Sequence, residues 1–179
     1  FRTNQFYNKV KRLKPYIRYN LFGTKTGRLT TKKGSFPILT MDKNYRGILI
    51  PQNDIFVELD YNAAELRTLL HMSGEKQPPQ DIHDWNMTNI FPQISDRESA
   101  KKRVFSWLYN PSAEDRDMER FYNRNLVLEE YWNGEKVTNP FGREIKADAK
   151  HALNYIIQST TSDLFLRRIL ELSKLLESK

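Results

Sequence analysis

With 179 residues the chain is long enough for one ordinary domain, or two small subdomains around a shared core, and too short for a multidomain assembly. A hydrophobic content of 39%, 12% aromatic residues and only 8 Pro with 7 Gly exclude wholesale disorder and collagen-like or linker composition. The 0 Cys remove any disulfide framework, thiolate zinc site or cysteine nucleophile, so the core must supply the stability and an intracellular, cytoplasmic setting is expected.

Lys and Arg number 29 against 22 Asp and Glu, a net charge of +7, and the excess is concentrated at one end. Residues 1–50 hold twelve cations against Asp42 alone, +11, which leaves −4 for the other 129 residues. Interleaved Phe6, Tyr7, Tyr16 and Tyr19 make this third suited to tracking phosphates and stacking on bases; a solvated basic face is the plainer alternative. No apolar run reaches the roughly 18 residues a bilayer span needs, and no signal-peptide core is present, so no membrane partner is expected.

In chain order, no initiator Met opens the sequence, which suits an internal start, and the basic aromatic segment leads into Gly23 and Gly27, which mark turns of an extended or hairpin region. ILI at 48–50 and IFVELD at 55–60 read as two strands joined by the turn-forming Pro51, Gln52, Asn53 and Asp54, the second strand ending on Asp60. From Ala63 helical spacing takes over at Leu66, Leu69 and Leu70, with Gly74 as its stop. A Pro- and Gln-rich loop follows, then a short helix over 82–90, a helix from Asp96 or Ser95 closed by Pro111, and another over 113–132. Asn139, Pro140 and Gly142 predict a hairpin or loop, and helices are expected over 145–157 and 161–178 with QSTTS at 158–162 as a polar interruption.

Asp60, a carboxylate at the end of an apolar strand, reads as a Mg²⁺ ligand or as a cap for the helix behind it. Glu65 fits a capping box with Asn62. Arg97, Lys101, Phe105 and Tyr109 recur every four residues and form one slowly drifting helical stripe. Two cations followed by two rings can clamp a polyphosphate and offer ring faces to a base; alternatively the rings face a core and the cations face solvent. His71 reads as a packed residue, whereas His83, beside Asp81 and Asp84, could donate to a phosphate. Protease, serine-hydrolase, P-loop and dinucleotide patterns are absent.

The pieces, in this order, resemble the polymerase domain of family A DNA polymerases. ELDYNAAELRTLLHMSGE from Glu58 is similar to motif A, QDIHDWNMTNIF from Gln80 to the Asp-Ile-His segment, and RESAKKRVFSWLY from Arg97 to motif B. TGRLTTKKGSFPIL from Thr26 resembles the Thr-Gly-Arg-Leu stretch before motif A, and ALNYIIQSTTSDLFLRRIL from Ala152 the Asn-and-Gln helix after motif B. The resemblance implies an α+β fold: part of an antiparallel palm sheet with a mostly helical fingers subdomain, divided into 1–74, 75–146 and 147–179.

It further implies Asp60 as one of two metal-binding aspartates for two Mg²⁺ ions, Glu65 as a steric gate against a ribose 2′-hydroxyl, and Arg97 and Lys101 with His83 on the incoming dNTP. Phe105 would pack on the sugar and base, Tyr109 near the template base, and Arg28, Asn154 and Gln158 on primer or template DNA. Lys101 would also donate a proton to the leaving pyrophosphate.

Asn110, Val104, Ser159 and Lys150 depart from the family's usual residues, and the shortened span from Tyr109 to Gln158 suits a phage-like source in a host cytoplasm. The second catalytic aspartate, motif C, and most of the thumb have no counterpart before Lys179, so the rest of a polymerase chain is an expected partner and this chain alone is expected to be inactive. A single-subunit RNA polymerase shares the Asp and the Arg/Lys/Tyr helix but not Glu65; a non-catalytic nucleic-acid-binding module would use the basic third alone.

Overall fold

A computed structural model describes residues 2–13, 16–51 and 54–177. Two units emerge, Phe1–Asp60 and Tyr61–Lys179, so the boundaries expected at residues 74 and 146 both fall inside the second.

In the first unit, helix α1 (Arg2–Val10) lies in the basic aromatic segment, for which the sequence suggested no element. Strands β1 (Tyr19–Asn20) and β2 (Thr30–Thr31) form the antiparallel hairpin that the glycines announce, with Tyr19 opposite Thr31 and Asn20 opposite Thr30. Gly27 is buried at φ 79°, a backbone region that disfavours any residue with a Cβ. Two 3₁₀ turns follow, Ile38–Thr40 and Lys43–Ile48, the second capped by Asp42, whose carboxylate accepts from the Asn44 N–H at 3.0 Å. Phe6 stacks on Tyr45 with centroids 4.8 Å apart, and Met41 is the one buried apolar side chain among this unit's described residues.

The two strands expected at 48–50 and 55–60 are not formed. Residue 48 ends a 3₁₀ turn, and residues 55–60 are irregular, with no backbone hydrogen bond among the described residues. Ile55, Phe56, Val57 and Leu59 are each at least 65% exposed. A β-rich sequence becomes a strand only when another strand completes its ladder, and no strand described here lies alongside this run. Of the expected connecting turn, Gln52 and Asn53 lie outside the described residues.

The second unit is built on α2 (Ala64–Met72), α3 (Ile82–Asn89), α4 (Arg97–Tyr109), α5 (Arg116–Phe121), α6 (Arg124–Tyr131), a hairpin of β3 (Lys136–Thr138) and β4 (Glu144–Lys146), and α7 (Ala152–Glu177). Its core joins Leu66, Leu69 and Leu70 of α2, Val104, Trp107 and Leu108 of α4, and Ile156 and Ile157 of α7, all essentially inaccessible. Each such side chain contributes about 1.5–3 kcal/mol by leaving water. Asp81, Asp96, Asp115 and Asn123 cap the starts of α3 to α6 with their side chains, so the chain's polar punctuation fixes where each helix begins.

The helix expected over 113–132 is two helices, broken where Tyr122 turns inward to donate to Asn86 Oδ1 at 2.6 Å and Asn123 caps the next. The final helix is continuous and starts later than expected, because residues 144–146 belong to β4. Its QSTTS segment does not recap the chain: Ser159 and Thr160 are buried, Ser159 Oγ donates back to the Ile156 carbonyl at 3.2 Å, and Thr161 bonds Thr68 of α2 at 2.8 Å. Among the described residues no helix is long and apolar enough to cross a membrane.

Candidate functional site

The second unit gathers its polar chemistry where α2, α3 and α4 begin. Asp81 stands at the N-terminus of α3, where its Oδ1 accepts from the N–H groups of His83 at 2.9 Å and Asp84 at 3.1 Å. Its Oδ2 accepts from Asn62 Nδ2 at 2.5 Å and from the Arg97 guanidinium at 2.7 Å. Burial pushes this carboxyl up, but the bonds from Arg97, Asn62 and the two backbone N–H groups outweigh it and hold the group well below the ordinary carboxylate range. One carboxylate thus joins the lead-in to α2, the start of α3 and the first residue of α4.

Asn62 does not form the expected capping box. The N-cap of α2 is Ala63, in the left-handed conformation at φ 47° with no side-chain cap. The Asn62 amide is engaged instead with Asp81, with the Ile82 N–H at 3.3 Å and with Arg67 at 3.3 Å. Arg67 also donates to the carbonyls of Asn62, Pro78 and Gln80, so it folds the 77–80 loop back on α2. Glu65 sits half-buried in the first turn of that helix. Sequence reading missed Asp81 and Arg67 as organisers; their partners are distant in sequence, and only the acid preceding a helix start was a visible sign.

Arg97 is ion-paired with Asp81, more loosely with Asp84 at 3.6 Å and Glu98 at 3.8 Å. Its cation is therefore shared with carboxylates in this state. Lys101, one turn on and half-buried, has no ion-pair partner among the described residues. Phe105 and Tyr109 stack on each other, centroids 5.8 Å apart and planes within 6°. The expected stripe is real, with rings partly packed and cations at the N-terminal end.

His83 lies across from it, ring centroids 6.1 Å from Phe105. At 3% exposure its ring belongs to the interior, and its Nδ1 is buried with no partner among the described residues. Burial lowers its pKa, Asp81 opposes this, and the nearby Arg97 and Lys101 cations add to the lowering, so the ring is neutral. His71, expected to be packed, is exposed on the far side of α2 from the buried Leu66, Leu69 and Leu70.

At the other end of the stripe, Tyr109 and Asn154 line one cavity of about 70 Å³ with Lys150, Arg124 and Leu153. Both Tyr109 Oη and Asn154 Oδ1 are buried there without a partner among the described residues. Gln158 follows one turn later on α7, half-buried. Arg124, missed by sequence reading, is buried under the Trp107 ring and donates to the carbonyls of Trp107, Asn110 and Ala113, which ties down the end of α4.

The remaining expected residues belong to the first unit. Asp60 is exposed at the end of the irregular run instead of terminating a strand, for want of a ladder partner. Arg28 is exposed beside the β hairpin, its carbonyl accepting from Thr24 Oγ1 at 3.0 Å. Among the described residues no three His, Asp or Glu side chains gather as a metal site.

Comparison with known proteins gives one partial likeness: the chain is 32% identical over 116 residues to the thermostable DNA polymerase I of Thermus thermophilus, covering 55% of this chain. The chain spans 14% of that relative's length. No family model and no solved structure matches the chain.

Proposed function

We propose that this chain is the nucleotide-binding part of a family A-like DNA polymerase, with residues 75–146 as fingers and residues 1–74 and 147–179 as part of a palm. The observation that carries the reading is the α4 stripe, in which Lys101 is left without an ion-pair partner among the described residues between Arg97 and the stacked Phe105 and Tyr109. The partial likeness to a DNA polymerase I supports it.

In this reading the triphosphate lies along the first two turns of α4. Lys101 pairs with its oxygens as a point charge, and Arg97 exchanges the Asp81 carboxylate for phosphate, a swap between two anionic partners of the same guanidinium. The Phe105 ring faces the sugar and base, and buried His83 supports that ring from behind. Glu65 excludes a 2′-hydroxyl, Tyr109 with Asn154 and Gln158 borders the template, and Arg28 contacts primer or template backbone. When the primer 3′-hydroxyl displaces pyrophosphate from the α-phosphorus, Lys101 stabilises the departing oxygens and supplies their proton.

Mg²⁺ would serve as a Lewis acid in such a reaction, with Asp60 as one oxygen ligand. One exposed carboxylate does not make a complete site.

The test is calorimetric titration of the chain with dATP, alongside Lys101→Ala and Glu65→Ala. Expected are saturable binding, loss of about tenfold or more in affinity for Lys101→Ala, consistent with a charge-assisted contact, and relaxed discrimination against ATP for Glu65→Ala. Equal affinity of wild type and Lys101→Ala would overturn the clamp; unchanged sugar preference would overturn the gate. The +11 carried by residues 1–50 favours a second reading, a non-catalytic nucleic-acid-binding module, which tight duplex binding indifferent to dNTP would support.

A further inference from the structure

We propose that the Asp81 carboxylate is a built-in competitor at the nucleotide site: in the free chain it occupies the Arg97 guanidinium that a polyphosphate needs, and so holds nucleotide affinity down. The inference rests on the nucleotide reading of α4 and adds the regulation of that site.

Arg97 opens α4 with three acids around it. Asp81 Oδ2 accepts from its Nη2 at 2.7 Å, Asp84 Oδ1 lies 3.6 Å from Nε, and Glu98 Oε1 lies 3.8 Å from Nη1. Lys101 has no ion-pair partner among the described residues, so of the two cations only Lys101 is open to an incoming anion.

Of the three acids, Asp81 alone is built in. Its side chain is 23% exposed, against 60% for Asp84 and 64% for Glu98. The N–H groups of His83 and Asp84 hold Oδ1, and Asn62 Nδ2 holds Oδ2. The carboxylate is therefore fixed before it meets Arg97, and little ordering entropy is lost in pairing with it. The same three bonds make the pairing reversible. When a phosphate takes Arg97, Asp81 keeps three of its four donors, so no half-buried charge is left unpaired. The guanidinium side chain is 43% exposed, and a phosphate offers it the same kind of acceptor oxygens as the carboxylate. The exchange costs one solvent-screened ion pair, so the competitor lowers affinity without blocking the site.

Calorimetric titration of the whole chain with dATP tests it in wild type, Asp81→Asn, Asn62→Ala, Arg97→Ala and the Asp81→Asn/Arg97→Ala double variant. Asp81→Asn should bind dATP about two- to fivefold more tightly, the size of a screened ion pair. A merely structural carboxylate predicts the opposite sign, because loosening the three helix starts weakens the site. Asn62→Ala takes a donor from the same oxygen and removes no charge, so it should not tighten binding. The gain should also disappear without Arg97, leaving Arg97→Ala and the double variant alike.

If wild type binds dATP and depends on Lys101, unchanged or weaker binding by Asp81→Asn overturns the competitor and leaves the nucleotide reading standing. An equal gain in the Arg97→Ala background overturns it too, by assigning the effect to general charge repulsion. A measurement on the wild type alone does not depend on the variants folding: the Arg97 guanidinium ¹⁵N resonances should move as dATP saturates. Resonances that stay at their free-state positions would overturn the competitor. No dATP binding by the wild type would overturn both readings.

Discussion

Replacing Asp81 separates the mechanical role of its carboxylate from its charge. In Asp81→Ala, α3 loses the cap that accepts from His83 and Asp84, worth about 1 kcal/mol. The Asn62 amide loses its 2.5 Å acceptor, about another 1 kcal/mol. The Arg97 pair adds little, because the Arg97 side chain is 43% exposed and solvent screening reduces such a pair to about 0.5 kcal/mol or less. The sum is about 2–2.5 kcal/mol.

Asp81→Asn keeps an oxygen for the cap but puts an NH2 group where Oδ2 accepts from Asn62 and Arg97, so it should cost that amide bond and the screened charge contribution, about 1.5 kcal/mol. Urea unfolding followed by far-ultraviolet circular dichroism reads both as midpoint shifts at constant slope. Two variants equally destabilised would show that the Oδ2 contacts, not the cap, do the holding; two variants with wild-type midpoints would refute the claim that this carboxylate joins the three helix starts.

Tyr122→Phe should cost about 1–3 kcal/mol in the same unfolding assay, since it strands Asn86 Oδ1 in the interior where Asn86 Nδ2 already lacks a partner among the described residues. His83 gives a pH dependence of defined sign. Its native pKa lies below the ordinary 6.5, so the unfolded chain takes up a proton first as pH falls, and stability declines from about that pH downward. His83→Gln should flatten this part of the stability–pH curve; an unchanged curve would assign the decline elsewhere. Asp81 acts lower, in the carboxylate range: its contribution is present above the ordinary 3.8 and is lost as pH falls through its depressed native value, so Asp81→Asn should remove that acid limb.

The helices of the second unit were legible from a capping acid at α3 and α4, and from the apolar period alone at α2, which has no side-chain cap. The hairpin at 136–146 was legible from its turn residues. What failed depended on partners. IFVELD has the composition of a strand, yet without a neighbouring ladder it stays irregular and exposed. QSTTS looked like a break because its side chains are polar, but Ser159 and Thr161 spend that polarity on contacts within and between helices, which leaves α7 intact.

The α4 stripe followed from spacing alone, because residues four apart on a helix must share a face. What Arg97 would meet did not follow, since Asp81 is sixteen residues away and Asn62 nineteen further back. The Asn62 and Glu65 spacing suggested a reciprocal cap, but Asn62 has stronger partners in Asp81 and Arg67, and the helix starts from left-handed Ala63 instead.

An ¹⁵N-labelled sample titrated with dATP and followed by amide chemical shifts would locate the nucleotide without relying on catalysis. Saturable shifts should cluster at His83, Arg97, Lys101 and Phe105 and vanish in Lys101→Ala. Shifts confined to the basic residues of the first unit, or none at saturating dATP, would mean that the α4 face does not bind nucleotide.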